Sequence, residues 1–361
     1  MNKEIIALTS IRGIAALWVL FYHFLIPINR DVACISCYFS ILEKSYLAVD
    51  LFFILSGYIL SLVYHEKIFN SQGALNRSSV LLFLKARLSR IYPLHLFTLL
   101  ILVLWVGTMN NYFPDYLLKS RDNIETFIYN LLLIQSWGVW ADASWNNPSW
   151  SISAEFFAYL IFPFSIAFFI RIDKKNALFF SIFILVILLI IFRDFYDSTS
   201  FGFGDGEALF RCTVEFFYGV LGYLLTKRNK FRVIFFLEKN FIQVAILILL
   251  FSLITFSNYD SLVILLYLPL IISISHDNGV VSNFLSHKSL HYLGLISYSI
   301  YLNHAVVLYV YRDIRVYYFD APSSLGLVTE SIIFLGLTIC TLYISHITYV
   351  FIENSLRKKI R

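Results

Sequence analysis

Apolar stretches separated by short polar breaks run along almost the whole chain. They fall at about 11–28, 47–64, 81–107, 124–138, 150–170, 178–193, 207–226, 241–256, 260–276, 290–312 and 325–352. A helix of about 20 apolar residues matches the roughly 30 Å hydrocarbon layer of a bilayer. The pattern therefore predicts an all-α, polytopic membrane protein with about ten transmembrane helices, folded as one domain over 1–361. The run at 124–138 is short for a crossing helix and is expected to dip in and return, or to lie along the surface.

Composition narrows the class. Of 361 residues, 59% are apolar and only 14% charged, well away from the balance of a soluble enzyme. With 36 Phe and 24 Tyr against 14 Gly and 7 Pro, the chain is neither disordered nor collagenous nor a nucleic-acid coat. Four cysteines are too few for a disulfide scaffold.

Charge orients the spans. Arg171, Lys174 and Lys175, then Lys227, Arg228, Lys230 and Arg232, then Arg357, Lys358, Lys359 and Arg361 form basic clusters, and the 66–90 region carries Lys67, Arg77, Lys85, Arg87 and Arg90. Basic loops stay on the cytoplasmic side, which places both termini inside once 124–138 is taken not to cross. Arg30, Lys44, Lys119, Arg121, Arg193, Arg211, Arg312 and Arg315 then count as outer residues. The first run holds Arg12 and His23 and lacks a cleavage site, so it reads as a retained span.

Ionisable groups at membrane depth are functional candidates because their burial is costly. Arg12 and His23 are eleven residues apart, about three helical turns, so they share a face about 16 Å apart along the axis. Depth arithmetic at about 1.5 Å per residue puts His23, Asp50, Glu155 and His304, from four different spans, in one layer roughly 4–12 Å below the outer boundary. That layer reads as a buried site open to the outside; separate packing hydrogen bonds are the plainer reading.

Near the inner side, Arg87 and Arg90 stand three apart on one helical face, followed by Pro93, which can start or kink a span. Forked guanidinium donors suit phosphate, and a basic strip for anionic lipids is the competing reading. His65, His95, His276, His287, His291 and His346 fall mostly at span ends and read as structural. Cys34-Ile-Ser-Cys37 on the first outer loop is a disulfide, half a zinc site or a pair of thiols. No H-E-x-x-H, G-x-S-x-G or Walker loop occurs, and no metal site is expected.

Together the motifs resemble the acyltransferase 3 family of integral membrane acyltransferases. Thr9-Ser-Ile-Arg12 through His23 is similar to its opening Arg-x10-His helix. Leu47-Ala-Val-Asp50 through Ser56-Gly57-Tyr58 is similar to the second-helix signature. Arg87-Leu-Ser-Arg90 resembles Arg-x-x-Arg, and Trp150-Ser151-Ile-Ser153-Ala-Glu155 resembles Trp-Ser-x-x-x-Glu. Phe216-Phe-Tyr-Gly219 and Ser297-Tyr-Ser-Ile-Tyr301-Leu-Asn-His304 follow in family order. Phe156 stands where many members carry a second carboxylate or amide. Ile352-Glu353-Asn-Ser355 lacks the proline usual after that glutamate, which puts a role for Glu353 in doubt.

The resemblance implies an O-acyltransferase in the bacterial inner membrane, in its stand-alone form. It would move an acyl group, by family habit acetyl, from cytoplasmic acetyl-CoA to a hydroxyl of an extracytoplasmic polysaccharide or glycolipid such as O-antigen or exopolysaccharide. It implies His23, Glu155 and Asp50 as catalytic groups and Arg12, Arg87 and Arg90 as holders of the coenzyme A phosphates. Trp150, Ser151, Ser153, Tyr301 and His304 would bind substrate or support the site. Acyl-CoA enters as donor substrate, with no resident cofactor; the other partners are the acceptor glycan and the lipid bilayer, with no nucleic acid. A proton-coupled transporter of acyl groups or small anions is the alternative, with His23, Asp50 and Glu155 as its relay.

Overall fold

Backbone polar groups inside a bilayer must be satisfied within the chain, which favours helices. The structure, a computed structural model, describes residues 4–29, 40–70, 73–113, 122–139, 144–171, 183, 207–228, 232–257, 259–276, 278–319 and 326–360. Among these, all regular elements are helical, apart from an isolated bridge between Phe69 and Leu75.

We number the main helices α1 (Ile6–Asn29), α2 (Leu47–Tyr64), α3 (Arg77–Tyr112), α4 (Ile124–Leu131), α5 (Trp150–Arg171), α6 (Glu207–Arg228), α7 (Arg232–Leu237) and α8 (Asn240–Phe256). They continue as α9 (Asp260–Ile274), α10 (Val280–Leu285), α11 (Lys288–Leu295), α12 (Ser297–Phe319), α13 (Leu327–Thr348) and α14 (Ser355–Ile360). Among the described residues, six helices are long and apolar enough to cross a membrane, and up to seven if α11 and α12 form one span. α8 and α9 are apolar but shorter, at 17 and 15 residues. The run at 178–193, apart from residue 183, and the Cys34/Cys37 pair lie outside the described residues.

Two elements differ from the simple reading of the apolar runs, and a third follows it. α3 is one helix of 36 residues that passes through Pro93, so the Arg87/Arg90 stretch and the following span are a single rod about 54 Å long. Asn76 starts it, accepting from the amides of Ser78 and Ser79 at 3.0 and 3.4 Å. The run at 290–312 is not one straight span: the chain bends by 62° at Ile296, between α11 and α12. The run at 124–138 becomes the 8-residue α4, about 12 Å long and too short to cross, with a capping box between Asn123 and Thr126. A turn with positive φ at Leu133 and Gly138 follows it.

Two helix pairs meet backbone to backbone. A Cβ on Gly57 of α2 would lie 1.9 Å from the Phe216 carbonyl oxygen of α6, and one on Gly219 would lie 2.0 Å from the Ile54 carbonyl oxygen. Gly13 of α1 and Gly294 of α11 form a second such crossing, where an added Cβ would stand 2.6 Å from the Gly294 amide or 2.1 Å from the Thr9 carbonyl oxygen. Small residues allow this approach, and close van der Waals contact is what holds helices together where no hydrophobic force separates protein from lipid. Around these crossings, Phe53, Phe83, Phe162 and Phe216 form a buried aromatic core linking α2, α3, α5 and α6.

Candidate active site

α1 carries both residues of the opening motif on one unbroken helix. His23 is partly buried, and its Nδ1 lies 2.9 Å from the Val19 carbonyl oxygen one turn back. A carbonyl only accepts, so Nδ1 bears the proton and Nε2 presents a lone pair. His304 of α12 is fully buried and repeats the arrangement, with Nδ1 at 3.2 Å from the Ile300 carbonyl oxygen and Nε2 without a hydrogen-bond partner among the described residues. The two ring centres lie 5.0 Å apart, with the ring planes tilted by 50°. Two imidazoles from distant parts of the chain thus stand side by side, each with a free base nitrogen.

Tyr301, one turn before His304, has its ring centre 5.8 Å from the His304 ring. Its hydroxyl shares a 2.9 Å hydrogen bond with Ser151. Both line a narrow pocket of about 60 Å³, room for about four waters. Arg12, Ser56, Glu155, Ser297 and Tyr298 complete the pocket's polar lining. Ser56 donates to Glu155, fixing one carboxylate oxygen. Arg12 is within electrostatic reach of Arg90, Glu155, Tyr159 and Glu353. The pocket between α1, α2, α5 and α12 thus carries Arg12 and Glu155 in its lining, and the imidazole pair stands behind Tyr301.

The remaining arginines have defined settings. Arg87 is buried, with its guanidinium 5.5 Å from the centre of the Tyr64 ring and Nη2 at 3.4 Å from the Tyr64 hydroxyl. Arg90 lies nearer the pocket, in the electrostatic neighbourhood of both Arg12 and Glu353.

Asp50 is turned away from the histidines. It is fully buried and ion-paired with Arg211 of α6 at 2.5 Å, while Glu215, also fully buried, comes within 3.5 Å of the same guanidinium. Trp150 and Ser153 serve the entrance to α5. Trp150 packs edge-on against Phe53, and its carbonyl oxygen accepts from Ser136 at 3.0 Å. The Ser153 hydroxyl donates to the Leu133 carbonyl oxygen at 2.9 Å and accepts from the Ser136 amide at 3.2 Å, so it ties the turn after α4 to α5.

Several residues of this region escape the sequence reading. Arg211, counted there with the outer loop residues, is buried within α6; its signal is the i,i+4 pair Arg211/Glu215 inside an apolar run. Glu353 sits in a π-type turn over Tyr349–Asn354, buried and accepting from Ser299 at 3.0 Å. His95, expected at a span end, is buried and bonds through Nε2 to the Asn130 carbonyl oxygen at 2.8 Å. Among the described residues no group of three or more His, Cys, Asp or Glu could hold a metal ion.

Helical spans held by glycine crossings define an integral membrane protein with a polar pocket between its helices. The chain belongs to the acyltransferase 3 family: the family pattern described as an acyltransferase domain matches residues 5–350. It is similar to Acyltransferase MdmB of Streptomyces mycarofaciens, 33% identical over 160 residues, which cover 44% of this chain and 38% of that protein. It is also similar to Protein 2 in picA locus of Rhizobium radiobacter, 39% identical over 97 residues, covering 27% of this chain and 43% of that protein. The chain thus spans about two fifths of the length of these relatives. No solved structure matches it.

Proposed function

We propose that the chain is a membrane O-acyltransferase that moves an acyl group, acetyl in the first instance, from cytoplasmic acyl-CoA to a hydroxyl of an extracytoplasmic polysaccharide or glycolipid. The carrying observation is the His23–His304 pair beside Tyr301, a residue that shares the lining of one pocket with Arg12 and Glu155. Arg87 and Arg90 receive the coenzyme A phosphates as forked donors, and Arg12 stands at the mouth of the thioester's path. The distance from Arg12 to His23 along α1, about 16 Å, suits an extended pantetheine arm.

Nε2 of His23 takes the proton of the acceptor hydroxyl as that oxygen bonds to the thioester carbon. The carbon–sulfur bond breaks, and the proton leaves on the sulfur of coenzyme A. In a two-step version the same nitrogen first takes the acyl group as an acyl-imidazole while coenzyme A leaves as the thiolate; the acceptor oxygen then displaces the imidazole, and the hydroxyl proton passes to the thiolate. Glu155, held by Ser56, orients the acceptor hydroxyl, and Asp50 supports the site by fixing α2 to α6 through Arg211.

Membranes containing the protein, incubated with radiolabelled acetyl-CoA and lipid-linked saccharides, test this reading. Labelled saccharide from the wild type and none from His23→Ala, with equal insertion of both, is expected. Uptake of label into vesicles without product would instead make the protein a transporter.

A further inference from the structure

A second cavity, of about 580 Å³, lies against α2 on the side away from the Arg12–Glu155 pocket. Val49, Phe52, Phe53 and Ser56 line that pocket, whereas Tyr58, Leu62 and His65 line the cavity. At 100° per residue the two sets project about 180° apart, so α2 is the wall between them. The acyl-transfer reading uses nothing on the cavity side.

Its charges are mixed. Lys227 of α6 donates to Glu66 at 2.9 Å and meets His65, whose Nε2 is 3.0 Å from Glu66. Opposite, His276 Nδ1 lies 3.1 Å from Glu238. With neutral imidazoles the set holds one cation against two carboxylates, which disfavours a polyanion such as coenzyme A. It suits a ligand bringing one ammonium and one phosphate.

The rim points to where such a ligand comes from. Phe235 and Phe236 on the short α7 are 70% and 51% exposed, and the Lys239 ammonium sits 5.6 and 5.9 Å from their ring centres. Exposed rings beneath a cation mark the level where acyl chains give way to headgroups. Phe235 also lines the cavity, so a lipid lying beside α7 has its headgroup at the opening.

We propose that this cavity seats the headgroup of an aminophospholipid, with its phosphate on Lys227 and its ammonium between Glu66 and Glu238. The shared chemistry is phosphoethanolamine, and the lipid is the source to which the rim commits it. The test is native mass spectrometry of the purified full chain with phosphatidylethanolamine, phosphatidylcholine, phosphatidylglycerol or soluble phosphoethanolamine, without acyl donor or acceptor. The outcome is therefore independent of acyl transfer.

Phosphatidylethanolamine should be retained about tenfold more tightly than phosphatidylcholine, whose methylated ammonium donates no hydrogen bond to the carboxylates. Glu66→Gln and Glu238→Gln, separately and together, should erase that preference, and Lys227→Gln should weaken both lipids alike. Equal retention of all three lipids, tighter retention of phosphatidylglycerol, or a preference unchanged in the glutamine variants overturns the proposal. Soluble phosphoethanolamine competing as well as the lipid would overturn the lipid source.

Discussion

The two faces of α2 border different spaces. One face closes on the Arg12–Glu155 pocket of about 60 Å³, where Ser56, Glu155, Tyr298 and Tyr301 leave room for little more than a few waters. The other opens on a cavity of about 580 Å³, where Lys227 pairs with Glu66 and His276 with Glu238 near the helix end. A tight, preorganised pocket favours one reacting geometry, whereas a roomy, self-paired one favours reversible seating of a ligand. The contrast teaches that cavity size alone is a poor guide to chemistry: the smaller space holds the groups suited to acyl transfer.

If the two faces are separate devices on a common scaffold, substitutions in the scaffold should disable both, and substitutions on one face should spare the other. The largest effect is expected from Arg211→Ala, which leaves Asp50 and Glu215 buried without their cation and should cost about 3–5 kcal/mol. Thermal unfolding in detergent measures the loss, and adding Asp50→Asn should restore part of it. His23→Ala comes next: transfer should fall by about 10²–10⁴-fold, the range of a lost general base, with phosphatidylethanolamine retention unchanged. Arg87→Ala should raise the KM for acyl-CoA about tenfold, the scale of a lost charge-assisted hydrogen bond, while the KM for acceptor stays put in steady-state kinetics. Ser153→Ala touches neither face of α2. It should lower stability by about 1 kcal/mol, read as a small drop in melting temperature, by freeing the turn after α4 from α5.

Much of the helical framework is legible in the sequence because lipid imposes one rule on each spanning segment. The run at 47–64 coincides with α2, and the shortness of 124–138 anticipates a helix that does not cross. Depth along a span follows from counting at about 1.5 Å per residue, which places His23 and His304 in the same layer. Direction around the helix axis does not follow from depth. Asp50 lies one residue, about 100° of rotation, from Val49 on the pocket face, and that turn carries it to Arg211 instead of to the imidazoles. The bend at Ile296 is equally hidden, since no proline or glycine stands at that residue. Buried glutamates such as Glu215 and Glu353 are visible as letters, but their partners come from other helices and only the packed fold supplies them.

The backbone crossings at Gly57/Gly219 and Gly13/Gly294 weld α2 to α6 and α1 to α11 into stiff double struts, since neither pair can slide without driving peptide groups into each other. The clearance that the proposed thioester needs in a space of water's dimensions must therefore come from outside those struts, at α5 and α12. The proposed route places its motion on the helices bearing Glu155 and His304, not on those presenting Arg12 and Ser56.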